Sequence, residues 1–349
     1  MTASARADSS ASTTRTDRIR LRDLLYGFTR TQILHTAVRF GLADHLAEGP
    51  LTPDELAARV GADPDALARV LRGLAAMGVV AELEDRRHAL TPFGEGLLPS
   101  AEGSLHGLAS LVGAEYHAAW GRLPDAVRDG RPGFDLAFGR PLFDHLGEHP
   151  EASDRFNRWM VAATGVTAAA VVAAYDFSPF SRVVDVGGGY GALLTAVLRA
   201  FPGPSGVLFD LPAVVAEARP HLAAAGVADR CDVIGGDFFE SVPAGGDAYL
   251  LSQILHDWDD ERCIRILTNI RRAMAPAGRV LAVEVVLPEK VTGPSFAVDQ
   301  DLMMLVVTGG RERTEADYGR LFAKAGLALR RVIPTTSPRD ARIIEAGPA

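Results

Sequence analysis

Cysteine and long apolar runs are scarce in this chain of 349 residues. Its two cysteines, Cys231 and Cys263, exclude a disulfide framework and a CxxC metal site, so a reducing cytoplasm is the expected compartment. No uninterrupted apolar run approaches the roughly 20 residues of a membrane-spanning helix. The N-terminus also lacks the apolar stretch of a secretory signal. We therefore predict a cytoplasmic protein with no membrane partner and with a disordered tail over residues 1–16.

Positive charge is in deficit as well. The chain has 36 basic and 44 acidic side chains, which gives a formal net charge of −8, and only Lys290 and Lys324 are lysines. An acidic protein lacks the long-range field that attracts nucleic acid or anionic membranes. A neutral or small-molecule partner is therefore favoured. Because single cores tend to stop growing near roughly 250–300 residues, the length favours two domains.

Residues 51–91 show the pattern of a winged helix-turn-helix. One helix has Thr52 as its N-cap and Pro53 at its first position, and a second helix ends at Gly78. Two short strands follow, joined by a turn at residues 84–87. A DNA-binding module and a dimerisation module both fit this pattern.

The charge of this segment argues against DNA binding. Residues 51–100 carry eight acidic and five basic side chains, whereas a helix that enters the major groove should be rich in positive and amide side chains. Residues 19–46 are apolar at helical spacing, to an extent that suggests burial by a second subunit. We interpret residues 17–100 as a dimerisation domain, with a DNA-binding regulator as an alternative.

The rest of the chain predicts a helical connector and then an α/β domain. Residues 101–175 are helical, broken by glycine and proline, and could form the wall of a substrate cavity. Over residues 176–349, strands alternate with helices, which predicts a parallel, doubly wound sheet. The predicted strands are 182–186, 206–210, 231–234, 247–251 and 279–287, followed by 327–333 and 341–346. The last two have no helix between them and should form an antiparallel hairpin at one edge.

A glycine-rich turn follows the first of these strands. Its spacing, Gly187-x-Gly189-x-x-Ala192, formally fits a dinucleotide fingerprint, so this segment alone leaves an NAD-dependent reductase open. Glycines there let a ligand lie against main-chain amides at a helix N-terminus. Asp185 precedes the first glycine by two residues. Its carboxylate would repel a pyrophosphate but attract a cofactor with sulfonium and ammonium groups.

Acidic residues also follow the second and third strands. Asp210 stands where an acid in this fold accepts hydrogen bonds from ribose hydroxyls. Asp237 and Phe238 place a carboxylate and an aromatic face together, suited to an exocyclic amine and a purine ring. Packing of Phe238 in the core is the alternative. The pattern favours a ligand that contains adenosine.

Three further residues are candidates for acid–base chemistry. His256 follows the fourth strand, at the sheet edge where doubly wound folds bind ligands. Glu284 lies within an otherwise apolar strand, where an unpaired charge would be costly, and His256 is its expected partner. Glu312 precedes a helix that Thr314 can cap, so it could be either a capping-region acid or part of the site.

With these residues assembled, the sequence resembles the small-molecule O-methyltransferases, typified by plant caffeic acid and flavonoid methyltransferases and by bacterial natural-product tailoring enzymes. The resemblance covers nearly the whole chain after the tail. It rests on the motifs VDVGGGYG at 184–191, FDLP at 209–212, GDFF at 236–239, ILHDW at 254–258 and GRERT at 310–314. It implies a Rossmann-like, doubly wound class I methyltransferase sheet with an N-terminal, α-helical winged-helix dimerisation domain, and hence a homodimer.

The resemblance also implies S-adenosylmethionine (SAM) as cofactor, S-adenosylhomocysteine as product, and no metal. His256 would be the general base, flanked by Glu284 and Glu312. The implied cofactor-binding residues are Asp185, Gly187, Gly189, Asp210, Asp237, Phe238, Ser252 and Trp258. The implied substrate-binding residues are Phe156, Met160, Asp257, Met303 and Met304, although methionines there could be core filler. Ser252 departs from the lysine that plant members tend to have.

A phenolic or enolic hydroxyl suits this apparatus better than an aliphatic alcohol. A phenol has a pKa near ~10 and an imidazole a pKa near ~6.5, so a histidine can accept the proton as the bond to carbon forms. We therefore expect the acceptor to be an aromatic or polyketide-type secondary metabolite, as in antibiotic biosynthesis. The alternatives are the same scaffold with SAM retained for chemistry other than methyl transfer, the reductase and the DNA-binding regulator.

Overall fold

The computed structural model describes residues 15–101 and 103–349. Most of the predicted tail therefore lies outside the described residues. The first helix, α1, begins at Arg15, two residues inside the segment predicted to be disordered, and Asp17 in its first turn favours that start. The described chain separates into two compact units, one ending at Leu98 and the other beginning at Pro99.

The N-terminal unit is mainly helical. Residues 19–46 form parts of three helices, since the chain turns near Gly27 and again at Gly41, which has a φ of 60°. The elements are α1 (Arg15–Leu25), α2 (Gly27–Arg39), α3 (Leu42–Ala47), α4 (Pro53–Val60), α5 (Pro64–Ala76), β1 (Val80–Glu82) and β2 (His88–Leu90). Strands β1 and β2 pair antiparallel as the wing.

Local hydrogen bonds define the start of the helix-turn-helix. Thr52 Oγ1 accepts a hydrogen bond from the N–H of Glu55 at 3.2 Å, and Glu55 Oε2 accepts one from the N–H of Thr52 at 2.8 Å. This reciprocal capping box begins α4, with Pro53 at its first position as predicted. Asp63 caps α5 by accepting from the N–H of Ala66 at 2.8 Å.

The second unit starts with six helices. They are α6 (His106–Gly113), α7 (Glu115–Trp120), α8 (Leu123–Asp129), α9 (Gly133–Phe138), α10 (Leu142–Glu148) and α11 (Pro150–Ala174). By length and composition alone, α11 could cross a membrane. It packs against α6 within this unit, however, and four charged side chains lie in its first three turns. We therefore describe it as a wall helix of the domain.

A seven-stranded sheet follows. Its elements are β3 (Arg182–Val186), α12 (Ala192–Ala200), β4 (Ser205–Asp210), α13 (Pro212–Ala224), β5 (Cys231–Gly235), β6 (Ala248–Ser252), α14 (Asp260–Ala273), β7 (Arg279–Val285), α15 (Phe296–Val307), α16 (Glu315–Lys324), β8 (Leu327–Pro334) and β9 (Ala341–Pro348). The strand order is β5-β4-β3-β6-β7-β9-β8, with the first five parallel and β9 antiparallel to both neighbours. The predicted doubly wound sheet and edge hairpin are confirmed.

The topology places the candidate residues at one sheet edge. The chain moves outward from β3 through β4 to β5 and then returns to the other side of β3 with β6 and β7. The carboxyl ends of the parallel strands border a crevice at this switch point, where doubly wound folds bind ligands. The glycine turn follows β3, Asp210 ends β4, and the turn with His256 follows β6. Glu284 lies near the end of β7.

The central strands should dominate the stability of this unit. Leu250 lies in the middle of β6, is fully buried and packs with both neighbouring strands. Leu250→Ala should lower the free energy of unfolding by about 2–5 kcal/mol, because a cavity remains in a packed core. Urea denaturation should show a lower midpoint at an unchanged slope. Val291→Ala, on an exposed side chain, is the control and should change stability by less than about 0.5 kcal/mol. A loss below about 1 kcal/mol for Leu250→Ala would contradict this.

Candidate active site

The turn after β6 holds His256. Gln253 adopts a φ of 56°, which turns the chain away from the strand, and residues Leu255–Asp257 form a short 3-10 turn. The N–H of Arg311 donates to the carbonyl oxygen of His256 at 2.8 Å. This approach requires Gly310, because a Cβ there would overlap the same carbonyl oxygen. The segments with His256 and with Glu312 are thus joined through their backbones.

Three ionisable side chains meet at this turn. His256 Nδ1 lies 2.8 Å from Glu312 Oε1 and 3.6 Å from Glu284 Oε2. All three side chains are buried. The sequence suggested Glu284 as the partner of His256, whereas the hydrogen bond is with Glu312. Capping of α16 falls to Thr314 and Asp317, which form a capping box, so Glu312 is not the capping acid.

The carboxylates around His256 control its protonation. Burial alone would lower the pKa of His256, but the charges of Glu312, Glu284 and Asp257 outweigh burial and raise it to about 10. Burial raises the pKa of Glu284 to about 7 and that of Asp257 to about 6. When neutral, His256 donates Nδ1–H to Glu312, which leaves Nε2 as the free basic nitrogen. Asp257 Oδ1 lies 3.9 Å from that nitrogen.

Glu284 has a second role that its place in an apolar strand did not reveal. Its Oε1 accepts hydrogen bonds from the backbone N–H groups of Ile254 at 3.0 Å and Leu255 at 2.8 Å. Glu284 therefore anchors the start of the turn that holds His256. Two peptide donors and the imidazole together compensate for burying this carboxylate.

Sequence reasoning missed Arg313, which is 1% exposed. Its guanidinium donates to the carbonyl oxygens of Leu255 at 2.7 Å and Trp258 at 2.8 Å, on both sides of His256. It also donates to Asp260 Oδ1 at 2.9 Å. Asp259 caps α14, and Asp260, the first residue of that helix, binds Arg313 instead. The GRERT motif contained the signal, an arginine directly beside Glu312.

The glycine turn after β3 surrounds a buried carboxyl group. Asp185 is 1% exposed, and neither of its oxygens makes a well-aligned hydrogen bond within the described residues. Burial, followed by the charge of Asp210, raises the pKa of Asp185 to about 7, while the backbone N–H of Leu194 opposes the rise. Gly187 leaves room for the chain, since a Cβ there would lie 2.5 Å from Ile254 Cδ1. A cationic ligand beside this turn would compensate for the carboxylate.

The other predicted cofactor residues line the same sheet edge. Asp210 accepts hydrogen bonds from the N–H groups of Gly189 at 2.8 Å and Leu211 at 2.7 Å, which ties the glycine turn to the end of β4. Asp237 Oδ1 accepts from the N–H of Phe239 at 2.7 Å. Ser252 is the last, half-buried residue of β6.

A row of aromatic side chains in contact with one another extends from this sheet edge to α10 and α11. The ring of Trp258 lies 4.8 Å from that of Phe239 and 6.1 Å from that of Phe238, both edge to face. On its other side Trp258 stacks on Phe143 at 5.7 Å. Phe143 in turn meets Phe156 edge to face at 6.3 Å. Phe143 was not predicted, because no sequence pattern distinguishes it from the other aromatic residues of the connector.

The predicted substrate-wall residues lie on two helices. Phe156 and Met160 are half-buried on α11, and Met303 is half-buried on α15. Phe156 and Met303 pack against the same helical core cluster. Met304 is buried, and its sulfur lies 3.9 Å from the hydroxyl of Thr308. Asp257, by contrast, lies in the His256 turn itself.

Comparisons with known proteins identify the family of the chain. Residues 120–328 match the O-methyltransferase domain, and residues 22–100 match the O-methyltransferase dimerisation domain. The chain belongs to the O-methyltransferase family. It is therefore a SAM-dependent methyltransferase, and the fold class inferred from its motifs is confirmed. Solved relatives hold SAM in NcsB1 and S-adenosylhomocysteine in CalO1, which confirms the predicted cofactor.

Individual relatives align with nearly the whole length of this chain. The chain is 46% identical to the phenazine O-methyltransferase PhzM of Lysobacter antibioticus over 328 residues, covering 94% of this chain and 95% of that protein. The crystal structure of LaPhzM has a TM-score of 0.92 at 45% identity and covers 95% of this chain and 99% of the other. NcsB1, an O-methyltransferase from neocarzinostatin biosynthesis solved with SAM and 2-hydroxy-5-methyl naphthoic acid, has a TM-score of 0.83 at 32% identity, covering 94% and 98%.

Gly310→Ala should impair turnover without removing the cofactor site. The new Cβ would overlap the carbonyl oxygen of His256 and displace the turn. A displacement near 1 Å can cost roughly 100-fold in rate, so we expect kcat to fall by about that factor. S-adenosylhomocysteine should still bind within about threefold of wild type by calorimetry. Gly293→Ala, where a Cβ meets no atom within 4 Å, is the control. Unchanged kcat in Gly310→Ala would show that the backbone contact is dispensable.

Proposed function

We propose that this methyltransferase acts on a phenolic or enolic hydroxyl of an aromatic or polyketide-type secondary metabolite, with His256 as the general base. The observation that carries the proposal is the hydrogen bond from His256 Nδ1 to Glu312, because it leaves Nε2 as the basic nitrogen. The raised pKa of His256, about 10, lies close to that of a phenol, which allows proton transfer with little free-energy cost.

Each side chain then has a defined task in the reaction. SAM, when bound, would supply a methyl group on a cationic sulfonium; the acceptor oxygen would attack the methyl carbon in line as the carbon–sulfur bond breaks, with S-adenosylhomocysteine as the leaving group. His256 Nε2 accepts the hydroxyl proton while the bond between oxygen and the methyl carbon forms. Glu312 fixes the tautomer and stabilises the imidazolium, and Glu284 holds the turn in place. Met160 on α11 and Met303 on α15 would line the space for the acceptor ring.

The cofactor assignment uses the predicted residues at the sheet edge. The buried Asp185 and the glycine turn suit a cationic cofactor, which supports SAM over a dinucleotide. Ribose hydroxyls would bind Asp210, and adenine would lie near Asp237 and Phe238. Gly187, Gly189, Ser252 and Trp258 complete the proposed site.

His256, Glu284 and Glu312 also satisfy the geometry of a metal site, with one ligand atom from each residue within 4.8 Å of the others. Methyl transfer from a sulfonium requires no Lewis acid. A proton shared by these groups reduces the charge repulsion between the two carboxylates. We therefore assign this cluster to proton transfer.

We also propose that the enzyme is a cytoplasmic homodimer that binds neither nucleic acid nor membranes. Large apolar side chains on α1 and at the start of α2 are more than half exposed, namely Leu21, Leu24, Leu25, Tyr26 and Phe28. A surface of this kind favours association, and residues 22–100 match a dimerisation domain. The proposed organisation remains a dimerisation domain at 17–100, a helical connector at 101–175 and a cofactor-binding domain at 176–349.

The base assignment predicts the effect of removing His256. His256→Ala should lower kcat on a cognate phenol by about 100- to 10,000-fold, the usual contribution of general acid–base catalysis. Isotope-labelled SAM and a panel of phenolic compounds, analysed by mass spectrometry, would identify a methylated product together with S-adenosylhomocysteine. His35→Ala, on a helix of the N-terminal unit, is the control. Full activity in His256→Ala would remove the base assignment, and no methylated phenol or enol across the panel would contradict the acceptor class.

Glu312→Gln should shift the pH dependence of the reaction. The charge of Glu312 raises the pKa of His256, so the amide should lower that pKa by about one to three units. Because the base must be unprotonated, the rising limb of kcat/KM against pH should move to lower pH while kcat falls. Glu315→Gln, on the exposed start of α16, should leave the limb in place. If the rising part of the kcat/KM profile lay at the same pH in Glu312→Gln as in wild type, a group other than His256 would be titrating.

A further inference from the structure

The turn between β8 and β9 contains a half-buried arginine, Arg339, whose guanidinium is not fully paired within the described residues. The guanidinium of Arg339 lies over the ring of Trp159, with its carbon 5.4 Å from the ring centroid. Its Nη1 is buried and has no hydrogen-bond partner in the described part of the chain. Burying a polar group without a partner is costly, and more so for a charged one.

A second arginine on the same hairpin provides a direct comparison. Arg331 lies over the ring of Tyr175 at 5.6 Å, but its Nε donates to Glu345 Oε2 at 2.7 Å. Glu345 raises the pKa of Arg331, whereas burial lowers the pKa of Arg339. Both arginines contact an aromatic face, and only Arg331 has a carboxylate partner.

The position of Arg339 is fixed relative to α11. Its backbone N–H donates to Ser337 Oγ at 3.3 Å, and Ser337 Oγ is 3.2 Å from the hydroxyl of Thr167 on α11. The turn is therefore attached to the helix that contains Trp159. A guanidinium held in this way loses little conformational freedom when it binds a ligand.

Arg339 contacts the helix that carries part of the proposed substrate wall, and the charge of Glu312 acts on it. Trp159 is adjacent in sequence to Met160 and one helical turn from Phe156, the two residues of α11 assigned to the substrate wall. Trp159 also packs against the same core cluster as Phe143 and Phe156. The carboxylate that acts electrostatically on Arg339 is that of Glu312, which is already hydrogen-bonded to His256.

From this geometry we propose that Arg339 binds a carboxylate on the acceptor, so that the substrate class is a hydroxylated aromatic carboxylic acid. This inference names the substrate class of the proposed function and rests on it. A planar guanidinium fits a carboxylate through two parallel N–H···O hydrogen bonds. A phosphate dianion would be repelled more strongly by the charge of Glu312, which acts on Arg339, so a monoanion fits better. A neutral acceptor would leave the buried Nη1 without a partner.

Binding to matched ligands tests this inference independently of turnover. The probes are hydroxylated aromatic carboxylic acids with one to three rings, each paired with its carboxamide, titrated by calorimetry into protein saturated with S-adenosylhomocysteine. We expect at least one acid to bind about tenfold or more tightly than its amide. In Arg339→Gln, the acid and its amide should bind about equally tightly, while the dissociation constant of the amide stays within about twofold of wild type. The unchanged amide affinity also shows that the variant is folded.

Two further variants complete the test. Arg331→Gln, the matched control, should keep the full preference for the acid. Arg339→Lys keeps the charge but cannot form the parallel pair of hydrogen bonds, so it should keep only part of the preference. The proposal would be overturned if wild type bound each acid and its amide with about equal affinity. It would also be overturned if both Arg339 variants kept the full preference for the acid.

Methylation of the same probes separates this inference from the proposed function. Acid binding that depends on Arg339, without any methylated product from labelled SAM, would support the arginine assignment and contradict the proposed function. Suppose instead that both proteins methylate the probes, and that the ratio of kcat/KM for the acid to kcat/KM for the amide is the same in wild type and Arg339→Gln. This result would support the function and overturn the arginine assignment.

Discussion

Burial of the His256, Glu284 and Glu312 side chains is the constraint on which the active site depends. A carboxylate with no exposed surface, within an apolar strand, is stable only if hydrogen-bond donors surround it. Two backbone N–H groups supply them for Oε1 of Glu284, and His256 Nδ1, 3.6 Å from Oε2, adds an electrostatic contact when the imidazole is protonated. The donors that compensate for burial also hold the His256 turn in place, so stability and the proposed catalysis depend on the same contacts. The exclusion of water further strengthens the charges that raise the pKa of His256.

Two segments far apart in sequence must meet for this arrangement to exist. The turn after β6 supplies His256, and the GRERT motif supplies Glu312 from its other side. Gly310 permits the backbone contact, and Arg313 binds carbonyl oxygens on both sides of His256. A buried guanidinium with several acceptors in fixed positions favours one geometry of the turn. The sheet provides the platform, since β6 and β7 end side by side.

Much of the fold was predictable because its signals are local. Alternating strands and helices, a capping box at Thr52 and glycines after a strand each reflect preferences of short segments. The contacts of the site were less predictable, because they depend on packing between distant segments. Glu284 had to have a partner, but no pattern could show that Glu312 would form the hydrogen bond with His256. Asp260 stands in the first turn of α14, where an acid commonly stabilises a helix N-terminus, yet it accepts a hydrogen bond from Arg313, which no local pattern shows.

The buried carboxyl group of Asp185 and the half-buried guanidinium of Arg339 extend this reasoning from the fold to its ligands. Asp185 has no well-aligned hydrogen bond within the described residues, and Nη1 of Arg339 has no partner there. On the proposed function, the first faces a cationic cofactor and the second an anionic acceptor. Each ligand would then supply the charge that its side chain lacks, and both would stabilise the folded enzyme by binding to it and not to the unfolded chain. On this proposal the two side chains lack full compensation in the free protein because the cofactor and the acceptor carry the complementary charges.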